Sequence, residues 1–145
     1  MYWGSELGRR TSTQANALNL VEAVNKVFIA AIDHVQLAMP PGGEEAARRF
    51  YLDLLGMTEL PKPKQLAQRG GCWFESGQVK VHLGVEEDFR PAKKAHPAFR
   101  CRNYLEFVLH LRAGGVEVHE VSDIPDLRRC YVADPFGNRI ELIEG

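Results

Sequence analysis

Apolar and polar positions alternate along one stretch, fall into helical spacing in the next, then alternate again, and this order runs through the chain twice. From Ile29 to Ala38, Val35 and Leu37 point one way and His34, Gln36 and Ala38 the other, which predicts a strand. Pro40-Pro41-Gly42-Gly43 breaks it and launches a predicted helix over Glu44–Leu55, whose acidic start suits the positive helix N-terminus. Ala47, Phe50, Tyr51 and Leu54 form its apolar face, and Gly56 is its stop. A short strand around Met57–Leu60 follows, then a hairpin of Cys72–Glu75 and Val79–Gly84 across Ser76-Gly77. After a linker, Glu86–Ala95, the order returns. A strand is expected over His96–Arg102, a helix over Tyr104–Arg112 ended by Gly114-Gly115, and a strand over Val116–Val121. Arg128–Ala133 and Asn138–Glu144 close the chain as a hairpin across Asp134-Pro135-Phe136-Gly137, with type I turn residues.

The pattern predicts an α+β fold of strand-helix-strand-strand-strand, repeated. The halves share element order and the placement of polar residues, with negligible sequence identity. Upstream, residues 1–17 show no period and are expected to be poorly ordered. Leu18, Val21, Val24, Asn25 and Phe28 then follow the spacing of a short helix. The organisation expected is an N-terminal extension, residues 1–29, and one domain, 30–145, built from modules of about 30–87 and 96–145.

Composition narrows the partners. Across 145 residues the formal charge is −1, and Arg and Lys are scattered, which argues against a nucleic-acid or anionic-membrane surface. Pairs such as Arg9-Arg10, Arg48-Arg49, Lys93-Lys94 and Arg128-Arg129 read mostly as solvated surface. No apolar run is long enough to span a bilayer, and Glu22 and Lys26 interrupt the stretch after Arg9-Arg10 that a secretory signal would need. Cys72, Cys101 and Cys130 have no close spacing, so free thiols in a reducing, cytoplasmic compartment are expected.

Four polar residues stand on strand faces that otherwise hold apolar neighbours. His34 and His96 lie on the first predicted strand of each half, His82 and Glu141 on the last. His34 is separated from His82 by nearly the same length as His96 from Glu141. Each is flanked by apolar residues of opposite parity: Val35, Val81 and Leu83, Pro97, and Ile140 and Leu142. If those pack under the helices, all four face the other side, and a pseudo-twofold would bring them to one point. Three imidazoles and a carboxylate suit a divalent metal ion, Zn, Ni, Co, Fe or Mn. His110 and His119 fall outside the pattern and read as surface or structural residues.

The motifs Ile32-Asp33-His34-Val35-Gln36-Leu37, Phe50-Tyr51 with Leu54-Leu55-Gly56-Met57, Gly114-Gly115-Val116 and Asp134-Pro135-Phe136-Gly137-Asn138-Arg139-Ile140-Glu141-Leu142 resemble the vicinal-oxygen-chelate superfamily. That group contains glyoxalase I, bleomycin-resistance proteins, fosfomycin-modifying enzymes and extradiol dioxygenases. The resemblance covers about Ala30 to Gly145 and implies two βαβββ modules forming a curved, half-open mixed barrel around a central cleft. It implies metal ligands at His34, His82, His96 and Glu141. Three-ligand members match His34, His96 and Glu141 alone, so His82 is either a fourth ligand or an acid/base group.

The function expected is a lyase or isomerase of the glyoxalase type acting on a small molecule with vicinal oxygens. Glu141 or His82 moves the proton, and Tyr131 and Arg100 are candidate substrate contacts. Two alternatives stand beside it: an Fe(II) ring-cleaving dioxygenase, and a metal-free protein that sequesters its ligand. Arg90, Lys93 and Lys94 lie on the linker and read as a solvated loop. The resemblance also implies a homodimer, with the site built within one chain or across two.

Overall fold

The computed structural model describes residues 28–145, of which Asp33–Gly145 form one unit. The helix expected from Leu18 lies outside the described residues apart from Phe28. In chain order the elements are β1 (Val35–Met39), α1 (Glu44–Ala47) with a widened continuation over Arg48–Leu54, β2 (Thr58–Leu60), α2 (Lys64–Ala67), β3 (Cys72–Ser76) and β4 (Val79–Val85). The second half holds β5 (Ala98–Cys101), α3 (Tyr104–Ala113), β6 (His119–Val121), β7 (Arg129–Ala133) and β8 (Arg139–Glu144). Apart from the single turn α2, each half has the predicted order. Each forms a four-stranded mixed sheet, β1-β4-β3-β2 and β5-β8-β7-β6, in which the first strand runs parallel to the last and the other pairs are antiparallel.

Both first strands begin later than their alternation suggests. The parallel ladders start at Val35↔Val81 and Ala98↔Glu141. His34 and His96 therefore sit at the strand entrances, with their rings lying against His82 and Glu141 of the last strands.

Helical spacing over Glu44–Leu55 yields a helix that loosens from Arg48, with Leu55 N donating to Phe50 O at 2.9 Å and Met57 N to Tyr51 O at 3.0 Å. Gly56 ends it at φ +68°, as its position suggested. The wide turn buries the adjacent rings of Phe50 and Tyr51 together, and Tyr51 stacks on Phe74 at 5.2 Å. Val81, Leu83, Cys72 and Phe74 face this helix, while Cys130, Val132, Ile140 and Leu142 join Tyr104, Val108 and Leu111 in the same core. Truncating one of these large side chains to Ala would cost about 2–5 kcal/mol.

The turn expected at Asp134–Gly137 forms, with Gly137 N bonded to Asp134 O at 3.0 Å, and it also pins the halves together. The buried Asp134 carboxylate accepts from Phe136 N at 2.9 Å, Asn138 N at 2.8 Å, Asn138 Nδ2 at 2.8 Å and the Tyr51 hydroxyl at 2.9 Å. Asn138 Nδ2 also donates to Ala38 O at 2.7 Å, and His110 Nε2 bonds Leu54 O at 3.2 Å, which gives His110 a structural role. Among the described residues no helix is long and apolar enough to cross a membrane, and Cys72, Cys101 and Cys130 are free.

Candidate metal centre

Because the helix-facing positions of β4 and β3 are apolar, the intervening residues turn to the opposite face. There Gln36, His82 and Trp73 stand in register across three strands. The His82 ring is sandwiched between Trp73, at 4.3 Å and 8°, and His34, at 4.1 Å and 19°. Asp33 Oδ1 lies 2.8 Å from His34 Nδ1. A carboxylate only accepts, so Nδ1 carries the proton and the lone pair of His34 is on Nε2. Burial and the neighbouring His34 hold the His82 imidazole below its ordinary pKa, so at neutral pH it is an uncharged base.

In the second half the corresponding face carries Glu141, with Ala98 and Tyr131 opposite it in register. His96 Nδ1 donates to Lys94 O at 2.7 Å, and His96 Nε2 stands 3.1 Å from Glu141 Oε2. Glu141 Oε1 is taken by Arg129 Nη1 at 2.6 Å, and the same nitrogen donates to the Tyr131 hydroxyl at 2.7 Å. Arg129 Nη2 grips both Asp123 oxygens at 2.6 and 2.8 Å. Arg129, then His96, keep the Glu141 carboxyl below its ordinary pKa. Arg139 stacks over the Tyr131 ring at 3.8 Å.

The sequence reading missed this arginine network. Arg129 was expected at a solvated surface, yet its side chain is only 11% exposed and its Nε is buried without a partner. A signal was present in its spacing, two residues before Tyr131 on a strand that faces Glu141. Arg100 is exposed near Gly145 and reaches toward Glu144 O at 3.5 Å, at the far end of β5 from His96. It lines a separate cleft with Leu55, Met57, Phe99 and Phe107. His119 is an exposed residue 3.4 Å from Glu117.

The four candidate ligands thus assemble as two pairs, His34 with His82 and His96 with Glu141. Among the described residues no three His, Cys, Asp or Glu side chains form one metal-binding group, so convergence of all four within a single chain does not occur. The second pair nonetheless has the chemistry of a cation site. With Nδ1 committed to a carbonyl, a neutral His96 turns its Nε2 lone pair toward a carboxylate oxygen, and two lone pairs at 3.1 Å repel unless a proton or metal ion lies between them. The donor set fits a divalent ion.

Two βαβββ modules with paired polar residues at the first and last strands define the class. The chain belongs to the Glyoxalase/Bleomycin resistance protein/Dioxygenase superfamily, whose family model matches residues 31–142. Among solved structures, it is 52% identical to a Bacillus anthracis protein described as of the glyoxalase family, with a TM-score of 0.80, covering 83% of this chain and 98% of that one. A lactoylglutathione lyase from Agrobacterium tumefaciens is 21% identical with a TM-score of 0.63, covering 82% and 96%. TnmS3, an antibiotic binding protein from a Streptomyces species, is 20% identical with a TM-score of 0.63, covering 81% and 98%. The last two show shared fold alone. No curated protein matches the chain significantly.

Proposed function

We propose that this protein is a cytoplasmic, divalent-metal-dependent lyase or isomerase of the glyoxalase type, acting on a small substrate with vicinal oxygens. In this reading it is a homodimer, in which the first pair of one copy meets the second pair of another. The observation that carries it is the contact of His96 Nε2 with Glu141 Oε2, which places an imidazole nitrogen and a carboxylate oxygen where one ion could take both. His34, His96 and Glu141 would hold the ion. A bound divalent ion supplies Lewis acidity to two neighbouring substrate oxygens.

The stacking of His34 on His82 supports separate roles for the two rings. Lone pairs of parallel stacked rings run side by side and do not converge, so one ring binds and the other is left to act on protons. His34, steered by Asp33, presents Nε2 as a ligand. His82, uncharged and wedged against Trp73, takes a proton from the substrate carbon and returns it to the neighbouring one. Arg129 occupies one oxygen of Glu141 and lowers its basicity, which favours Glu141 as a ligand over a base. Tyr131 accepts from Arg129, which leaves its own hydrogen to donate to a substrate oxygen. Arg100 takes no part.

Two imidazoles and one carboxylate also serve ferrous ring-cleaving dioxygenases, so the test must separate these chemistries. Metal analysis of purified wild type and His96→Ala, each with a melting curve, should find stoichiometric metal that is lost in the folded variant. Oxygen uptake with catechols should be absent. Metal-free wild type, or metal retained by His96→Ala, would overturn the reading. Catechol-dependent oxygen uptake would replace it with the dioxygenase.

A further inference from the structure

Five of the ten described arginines pair with a carboxylate: Arg48 with Glu59, Arg49 with Glu45, Arg112 with Glu120, Arg128 with Glu144, and Arg129 with Glu141 and Asp123. Arg139 differs. It shares one face of β8 with Glu141, yet among the described residues it makes no ion pair, and its guanidinium carbon lies over the Tyr131 ring, 3.8 Å from the centroid. It also lines a cleft of about 470 Å³ together with His96, Asn138, Phe89 and a second guanidinium outside any ion pair, that of Arg90.

A guanidinium stacked on an aromatic face is held in one plane while its N–H edge stays available, and a planar two-donor edge matches the two oxygens of a carboxylate or phosphoryl group. Phe89 gives the cleft an apolar wall, and His96 connects it to the candidate metal centre. We infer that Arg139 anchors an oxyanion group of the ligand, so that the accepted molecules are small organic anions, carboxylates or phosphoryl compounds, in preference to neutral diols or ketones. Arg90 adds positive charge at the cleft. This inference takes the proposed substrate site as given and adds the charge of what enters it. Tyr131 then serves as the platform that orients Arg139, a role distinct from hydrogen bonding to substrate.

The test removes metal, so that it stands apart from the metal analysis. Chelator-treated full-length protein is titrated with acetate, inorganic phosphate and neutral acetamide, followed by calorimetry and by the arginine side-chain Nε–H resonances in NMR. Saturable binding of acetate or phosphate that shifts the Arg139 resonance is expected, with none for acetamide. Arg139→Met should weaken that binding about tenfold or more, the scale of losing hydrogen bonds to a charged group. If Arg139→Met melts below the wild type, Arg139→Lys carries the test: it keeps the charge, loses the planar edge, and should bind more weakly than wild type. Failure of both anions to bind, equal binding of acetamide, or unchanged binding in the folded variant would overturn the inference.

Discussion

Compared position by position, the two halves place the same three kinds of residue at the same three places and use them differently. Each has a histidine at the entrance to its first strand, an aromatic residue on its third strand, and a polar residue directly opposite that aromatic on its last. In the first half these are His34, Trp73 and His82, in the second His96, Tyr131 and Glu141. The first set is a stack of flat rings, Trp73 on His82 on His34. The second is a charged network in which Tyr131 meets His96 edge-on, 5.3 Å apart, and Arg129 binds both Tyr131 and Glu141. One scaffold therefore yields a stack of rings in one half and an arginine–carboxylate network in the other. The difference is set by a single residue on each last strand, an imidazole or a carboxylate, and by the arginine the carboxylate attracts.

The largest expected effect comes from breaking what the halves share. Asp134→Ala removes the acceptor for four donors drawn from both halves, and leaves the Tyr51 hydroxyl and one of the two Asn138 amide hydrogens without a partner in the core. It should cost about 3 kcal/mol, measured by urea denaturation. A loss under about 1 kcal/mol would show that the halves are not tied there.

A smaller, sharper test uses pH on metal-free protein. His82 and Glu141 both have folded pKa values below their unfolded ones, so each contributes stability above its unfolded value and loses it as pH falls. The windows differ: the His82 contribution falls away below the usual imidazole value of 6.5, and that of Glu141, with those of Asp33, Glu44 and Asp123, only in the carboxylate range. Urea midpoints across this range should show two separate losses, with Trp73 emission following the first alone. A single loss, or Trp73 emission unchanged until the second, would contradict the division between the halves.

The smallest effect tests where the halves agree. Cys72 and Cys130 sit at matching positions, opposite Leu83 and Leu142, and both are buried. Burial pushes the Cys72 thiol up to about 11 and raises that of Cys130 as well. Near pH 8 the Cys72 thiolate should be on the order of a thousandth of the population. Alkylation of the native protein followed by mass spectrometry should label the half-buried Cys101 first. Early labelling of Cys72 or Cys130 would show that one half opens.

Much of the fold was legible because its signals are local. Alternation and helical spacing marked the elements, Gly56 marked the helix end, and Asp134-Pro135-Phe136-Gly137 marked its turn. The likeness of the halves was visible too, since His34, His82, His96 and Glu141 keep their spacing. The strand entrances were not legible, because alternation continues through His34 and His96 although the ladder that would fix them starts later. Nor was the grouping of ligands into separate pairs, which depends on how the halves pack and leaves no trace in spacing. Arg129 was hidden for a third reason. A basic residue beside another basic residue reads as surface, and only the carboxylates of Glu141 and Asp123, brought together by the sheet and its loop, turn it inward.

His96 is steered by the main-chain oxygen of Lys94, with no side chain as intermediary. Replacing Lys94 with another residue should therefore leave the ring's aim intact, whereas adding or deleting a residue between Lys94 and His96 would turn it away. For this histidine the two-residue step back to a carbonyl, and not the chemistry of the side chain found there, is what evolution would have to preserve.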